Sequence, residues 1–124
     1  MSRSLVLVLL LGLAACDSVA SDAIDLGDPY RVQPSHEPVV LGDTLYVTVS
    51  YSGGCEPHTF DLGIDASEST VDLWLTHDAN GDVCEALITE EIASFVPVDL
   101  AGRLRVFMVT SDTSRVPVQV PEAD

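Results

Sequence analysis

The stretch TLYVTVSY at residues 44–51 alternates strictly between two kinds of position. Every second residue is Leu, Val, Val or Tyr, and the residues between them are Thr, Tyr, Thr and Ser. This period of two predicts a β-strand with one buried face. A Leu-Gly-Asp turn at 41–43 precedes the strand and a Ser-Gly-Gly turn at 52–54 follows it, because glycine adopts turn conformations at little cost.

Similar short runs recur along the chain, at residues 30–33, 58–64, 71–76, 83–90, 103–110 and 115–120. The Asn80-Gly81 pair predicts a hairpin turn between two of these runs. Residues 85–95 also fit a helical stripe, and the preceding hairpin favours a strand there. Seven or eight short strands separated by turns predict an all-β fold, a small antiparallel β-sandwich or barrel.

Length and charge limit the classes of function. The chain has 124 residues, which is enough for one domain. Five Lys and Arg residues stand against twenty Asp and Glu residues, and the formal net charge is −15. Binding to phosphate backbones needs clustered positive charge, so we expect no nucleic-acid partner.

The N-terminus has the parts of a secretory signal. Arg3 precedes an apolar run at residues 5–13, and Leu-Ala-Ala-Cys follows at 13–16. The run is shorter than the roughly 20 apolar residues of a membrane span. Leu-Ala-Ala-Cys resembles the lipobox of bacterial lipoproteins, and the resemblance implies cleavage before Cys16 and lipidation of its side chain.

The lipobox resemblance, the composition of the residues after it and the strand pattern together predict three parts of the chain. Residues 1–15 are a signal peptide, residues 16–28 are the lipidated Cys16 and an acidic flexible tether, and residues 29–124 are a single all-β domain. We therefore expect a lipid-anchored protein at the cell membrane or outer membrane, facing the periplasm or the cell exterior. The membrane is its partner through the N-terminal lipid.

Two further cysteines, Cys55 and Cys84, are an even number in an exported chain. We expect a disulfide between them, because exported thiols that lie close together oxidise. The alternative is a metal site. Cys55 and His58 are spaced C-x2-H, Cys84 offers a third ligand, and His77 or Asp78 could be the fourth that tetrahedral zinc needs.

A second candidate cation site lies at residues 78–82. Asp78 and Asp82 flank Ala-Asn-Gly, which resembles the start of a calcium loop. Position six of an EF-hand loop would be Val83 rather than Gly, and position twelve would be Thr89 rather than Glu, so that pattern fails. A hairpin turn explains the motif, and we expect no cofactor; a weak divalent-cation site that is not an EF-hand is the alternative.

Two motifs carry a resemblance to known proteins. YSGGC-x2-H-x-F-x-L spans residues 51–62, and HD-x-NGD-x-CEALITE spans residues 77–90. Together they resemble a group of small exported bacterial lipoproteins. The resemblance implies that Cys55 and Cys84 act as a pair and that His58 lies beside them. It implies nothing about catalysis.

No catalytic motif is present: the chain has neither Gly-x-Ser-x-Gly nor His-Glu-x-x-His. His58 is interpreted as an imidazole that supports the glycine turn, with a metal ligand or proton acceptor as the alternative. Trp74 falls on the polar face of its strand and is a candidate binding residue, unless it lies in a second buried layer.

We therefore predict a protein that is not an enzyme. The expected function is a lipid-anchored binding or structural module of the bacterial envelope, with an envelope protein or a ligand as its unidentified partner. The alternative is a metal-handling accessory protein that uses Cys55, His58, His77 and Cys84.

Overall fold

The computed structural model describes residues 24–100, 105–111 and 114–121, and this part of the chain is all-β. Its eight strands are β1 (Arg31–Val32), β2 (Val39–Leu41), β3 (Thr44–Gly53), β4 (Thr59–Ala66), β5 (Thr70–Asp78), β6 (Ala86–Phe95), β7 (Arg105–Ser111) and β8 (Ser114–Pro117). They form two four-stranded sheets, and the predicted small β-sandwich is confirmed. The described residues include no helix of the length and apolar character that crossing a membrane requires.

The alternating strand at residues 44–51 is the centre of the first sheet. It lies within β3, which pairs antiparallel with β6 along its whole length, from Thr44 opposite Phe95 to Gly53 opposite Ala86. The short strands β1 and β2 pair antiparallel with β3 along its other edge. The strand predicted for residues 85–95 is thereby confirmed as β6.

The second sheet has the order β4-β5-β7-β8. The pairs β4–β5 and β7–β8 are antiparallel, as expected. The pair β5–β7 is parallel, with Thr70 opposite Arg105 and Leu73 opposite Met108. A parallel pair needs a long connection, and here the chain passes through β6 in the other sheet before it returns.

The prediction of a hairpin at Asn80-Gly81 is wrong, although these two residues do form a turn. Both residues have positive φ, 58° and 72°, and the Asp82 amide donates to the Ala79 carbonyl at 3.0 Å. The chain then leaves β5 and joins β3 of the other sheet as β6. The cause is non-local, because Asp82 and Cys84 are bonded to the loop that follows β3.

The core lies between the inner faces of the two sheets. Every second residue of β3 and of β5 points into it, as the alternation predicts. The buried apolar cluster consists of Val40, Leu45, Val47, Val49, Tyr51, Val71, Leu73, Leu75, Val96, Leu100, Val106, Met108 and Val118. The same alternation continues to the end of β5 and places His77 inside, with 2% of its surface exposed.

Trp74 lies on the opposite face of β5 and is half-buried. Its neighbour across the strand pair is Gly63, and a Cβ atom on Gly63 would lie 2.2 Å from the indole ring. The ring therefore lies directly over the backbone of β4, in space that the missing side chain leaves open. The role of Trp74 in binding stays a prediction.

Residues 25–28, which the sequence assigns to the tether, are hydrogen-bonded to the end of β5. The Thr76 hydroxyl donates to the Asp25 carbonyl at 2.7 Å, and the His77 amide donates to the Leu26 carbonyl at 2.9 Å. The Asp28 amide donates to the His77 carbonyl at 2.8 Å. The predicted signal peptide, Cys16, the tether up to residue 23 and residues 103–104 of the predicted strand lie outside the described residues.

Candidate functional site

The two sequence motifs meet at one end of the sandwich. The first forms the end of β3 and the loop before β4, and the second forms the loop between β5 and β6. Cys55 and Cys84 are joined in a disulfide with their Cα atoms 5.8 Å apart, so the predicted pairing is confirmed. The disulfide therefore connects the two loops where the chain passes from one sheet to the other.

Beside the disulfide, the carboxylate of Asp82 is held by backbone amides. Its Oδ2 atom accepts hydrogen bonds from the amides of Gly54, Cys55 and Glu56 at 3.0, 3.1 and 3.1 Å. Its Oδ1 atom accepts one from the Cys84 amide at 2.9 Å. Successive amides that converge in this way form an anion-binding nest. Gly54 has φ +119°, a backbone conformation that residues other than glycine rarely adopt.

His58 completes the hydrogen bonding of this carboxylate. Its Nε2 atom lies 2.8 Å from Asp82 Oδ2, and the two side chains are 2% and 0% exposed. Gly53 leaves the space for this contact: a Cβ atom there would lie 2.7 Å from His58 Nε2 and 2.9 Å from Asp82 Oδ2. The two glycines of the first motif therefore have different roles. Gly53 leaves space for the His58–Asp82 contact, and Gly54 adopts a backbone conformation with positive φ.

His77 extends the chain of contacts to the start of the domain. Its Nε2 atom lies 2.8 Å from Nδ1 of His58. Its Nδ1 atom lies 3.0 Å from the carbonyl oxygen of Asp28 and 3.2 Å from that of Pro29. Asp82, His58 and His77 thus form a continuous hydrogen-bonded series, which we call the His–Asp chain.

Aromatic rings enclose the two imidazoles. Tyr51 stacks on His58 and Phe60 stacks on His77, each with ring centroids 4.4 Å apart, and Tyr30 meets His77 edge-on at 5.7 Å. Burial raises the pKa of Tyr30 to about 12, against the opposing effect of its hydrogen bond to the Leu75 carbonyl. The rings keep water away from the imidazoles, which strengthens their electrostatic interactions.

Tyr51 also contacts the neighbouring edge strand, β6. Its hydroxyl donates a hydrogen bond to the carboxylate of Glu90. Burial, this hydrogen bond and the charges of Glu90 and Asp82 together raise the pKa of Tyr51 to about 12. The phenol therefore stays neutral at physiological pH.

The environment of Asp82 favours its ionised form. The hydrogen bond to His58 is the largest cause of a pKa well below the ordinary value of 3.8 for this carboxyl. Burial opposes the shift, and the amides of Cys84, Cys55 and Glu56 add to it. Asp82 is therefore a fixed negative charge at the centre of the site.

Acid is expected to destabilise the protein through Asp82. Because the folded pKa of Asp82 is depressed, its contribution to stability is complete above the unfolded pKa and is lost as the pH falls below about 4 towards the folded value. We expect Asp82→Asn to show a shallower fall of the free energy of unfolding with acidification than the wild type. Urea unfolding at several pH values measures this.

Asp61→Asn is the control for this prediction, because Asp61 is an exposed carboxylate on β4. We expect the free energy of unfolding of this variant to fall with acidification as steeply as that of the wild type. Equal slopes for the wild type and Asp82→Asn would contradict the assigned role of Asp82.

Gly53→Ala tests the space beneath the His–Asp chain. The new Cβ must displace His58 Nε2 or Asp82 Oδ2, and overpacking of this kind costs roughly 1–3 kcal/mol. We expect a lower free energy of unfolding, measured by urea titration. Ser52→Ala, at the exposed neighbouring position, is the control and should stay within about 0.5 kcal/mol of the wild type. If the two variants are equally stable, the fold does not depend on the close packing against Gly53.

Of the predicted metal ligands, His58, His77 and Asp82 are brought together and Asp78 is not. Asp78 is exposed, and its Oδ1 atom accepts the Asn80 amide at 2.8 Å. The three buried groups follow one another in series and do not surround a common point. Within the described ranges, the only three candidate ligand atoms that all lie within 4.8 Å of one another belong to Cys55, Asp82 and Cys84, and both sulfurs are in the disulfide. Binding of a cation stays a prediction.

The sequence analysis missed several features of the site. Tyr51 falls on the apolar face of the predicted strand, but the burial of His77 was not predicted, although continuing the alternation of β5 by one residue would have placed it inside. Glu90 lies opposite Val49 and so shares its face of the sheet, a relation set by the strand register. No sequence signal indicates the amide nest around Asp82.

No protein-family model matches the chain, and no curated protein or solved structure matches it. The resemblance to small exported lipoproteins therefore stays a prediction. The function of the chain has to be inferred from the geometry of its site.

Proposed function

We propose that this protein is a lipid-anchored protein of the bacterial envelope and that its β-sandwich is a non-enzymatic binding or structural module. One observation carries the non-enzymatic part. Among the described residues, the side chains of the His–Asp chain are buried, and they are hydrogen-bonded to one another and to the backbone. A general base must reach its substrate with a free lone pair, and the nitrogens of this cluster already have partners.

Structural roles account for the main residues of both motifs. Gly53 provides space, Gly54 provides a backbone conformation, and Cys55 and Cys84 provide the disulfide. Each of these roles stabilises the passage of the chain between the sheets. These roles support a scaffold function for the motifs.

A shallow depression beside the site is a candidate position for a ligand. Its volume is about 440 Å³, within the range of small-molecule sites. Tyr30, Arg31, Ser52 and Leu87 contribute to its lining, and so do four residues of the site: Tyr51, His77, Asp82 and Cys84. A lining that combines apolar side chains with a few polar ones is typical of small-molecule sites, which supports a binding role for this depression.

The anchoring is tested by metabolic labelling. The full chain is expressed in a bacterial host supplied with radioactive palmitate, and the membrane fraction is collected. We expect label on the protein and recovery with membranes, and neither for the Cys16→Ala variant. An unlabelled wild-type protein in the soluble fraction would contradict the lipid anchor.

The metal-handling alternative is tested by mass spectrometry of the exported protein under native and denaturing conditions with thiol alkylation. We expect Cys55 and Cys84 to resist alkylation and the native mass to contain no metal. Alkylation of both thiols together with a metal-containing native mass would favour the metal-handling function instead.

A further inference from the structure

The strand β6 forms one edge of the first sheet. Within the described residues it pairs with β3 alone, in an unbroken antiparallel register. The Val96 amide donates to the Asp43 carbonyl, and this bond fixes which pairs of the ladder are hydrogen-bonded. Because hydrogen-bonded and non-hydrogen-bonded pairs alternate, every second residue of β6 directs its amide and carbonyl away from β3. These residues, which we call the β6 edge, are Leu87, Thr89, Glu91, Ala93 and Phe95.

The β6 edge lacks most of the features that keep edge strands from pairing with other chains. Protected edge strands are commonly very short, or they contain a bulge, a proline or a lysine. β6 has ten residues, most of them exposed, and contains neither Pro nor Lys. Its register with β3 has no shift. The strand is therefore suited to accept a further strand through its outward amides and carbonyls.

The side of the sandwich next to this edge is incompletely covered. Ile88 and Ile92 lie on the inner face of β6 and pack against the core, but they are only partly buried. The strand β4 is the nearby edge of the second sheet, and its inner residues Leu62 and Ile64 are also only partly buried. An added strand with apolar residues on its inner face would remove more of this apolar surface from water.

Two glutamates at the centre of β6 define the charge that such a strand needs. Glu90 shares the inner face with Ile88, and Glu91 is exposed on the outer face. Glu90 and Glu56 both line a depression of about 540 Å³ beside the ring of Tyr51. Among the described residues, no arginine forms an ion pair with any of these three glutamates. Basic side chains on the added strand would supply the missing positive charge.

The same glutamates disfavour a second copy of the chain as the occupant. In a symmetric antiparallel pair of β6 strands, the register that pairs the whole strand places Glu90 opposite Glu91 of the second copy. A shift of one residue in either direction places a glutamate opposite its own counterpart. Like charges directly opposite each other destabilise a strand pair. Residues 17–23 of the chain itself contain two aspartates and neither Lys nor Arg, so they also lack the required charge.

We propose that the β6 edge binds an extended segment of a partner protein as an additional antiparallel strand. Two adjacent Lys or Arg residues of that segment lie opposite Glu90 and Glu91, and apolar residues lie opposite Ile88 and Ile92. The net charge of −15 attracts a positively charged segment before contact is made. This inference rests on the proposed binding role and does not depend on the lipid anchor.

Two fluorescent peptides of ten residues test the proposal by titration with the full chain in detergent. One is Thr-Thr-Thr-Val-Lys-Lys-Thr-Val-Thr-Thr, which matches β6 in antiparallel register, and the other has Glu-Glu in place of Lys-Lys. We expect fluorescence anisotropy to show at least about tenfold tighter binding of the Lys-Lys peptide. Equal affinities, or no binding of the Lys-Lys peptide, would overturn the proposal.

Two variants with the same change of net charge separate the β6 edge from general electrostatic attraction. Glu91→Lys places a positive charge on the edge, and we expect the preference for the Lys-Lys peptide to fall by about tenfold. Asp61→Lys places it on the outer face of β4 and should keep the preference of the wild type. An equal fall in both variants would mean that the peptide responds to overall charge, and the proposed site would be wrong.

Hydrogen exchange of the ¹⁵N-labelled full chain shows where the peptide binds. We expect the five amides of the β6 edge to exchange freely in the protein alone and to gain at least about tenfold protection with the Lys-Lys peptide. Protection of these amides without peptide would mean that a second copy or another part of the chain occupies the edge, which contradicts the proposal. Protection only around the depression lined by Tyr30 and Arg31 would also contradict it, but would leave the proposed binding role in place.

Discussion

Replacing Cys55 and Cys84 together by alanine is expected to lower the free energy of unfolding by about 3.5 kcal/mol. The disulfide joins residues 29 positions apart, and its loss releases the entropy of that loop in the unfolded chain. Small domains are stable by roughly 5–15 kcal/mol, so the change is a large share of the total. Urea unfolding followed by the fluorescence of Trp74 measures it.

Chemical reduction provides the matched control for this prediction. A dithiol reductant should destabilise the wild type to about the level of the double variant, and it should leave the double variant unchanged. A loss below about 1 kcal/mol in the double variant would show that the disulfide contributes little to stability.

His58→Ala is expected to lower the free energy of unfolding by roughly 1–3 kcal/mol, because it leaves buried polar atoms that contact the imidazole without a hydrogen-bond partner. The substitution leaves Nε2 of His77 without its partner and the Asp82 carboxylate with its amide donors alone. It also leaves a space beneath the ring of Tyr51. The same urea titration, near neutral pH, measures the change.

His36→Ala is the control, because His36 is exposed in the loop between β1 and β2. We expect it to change stability by less than about 0.5 kcal/mol. His58→Gln, which keeps a polar group at the site, should fall between the two. Equal stability of His58→Ala and His36→Ala would contradict the structural role of the His–Asp chain.

The local patterns of the sequence predict the strands well, because alternation depends only on neighbours along the chain. The run at residues 44–51 is the clearest case, and it becomes the buried centre of a sheet. The ambiguous residues 85–95 form β6, since pairing with β3 along ten residues outweighs the helical preference of Glu-Ala-Leu. Propensity alone could not decide that segment.

The wrong prediction concerns which strands pair with each other. Asn80 and Gly81 form a turn, and that turn normally joins adjacent strands of one sheet. Here the bonds of Asp82 and Cys84 to the loop after β3 direct the chain into the other sheet. These bonds join residues more than twenty-five positions apart, and no pattern within a short window contains them.

The sequence by itself determined the all-β class and the face that each main strand buries, and it favoured a disulfide over a metal site for Cys55 and Cys84, because periodicity and cysteine count are properties of the chain alone. Tertiary structure decided the rest. It turned two separate motifs into one site, placed His77 beside His58 and surrounded Asp82 with amides. Hydrogen bonds of this kind depend on positions accurate to a fraction of an ångström, and only the packed sheets and the disulfide provide that accuracy.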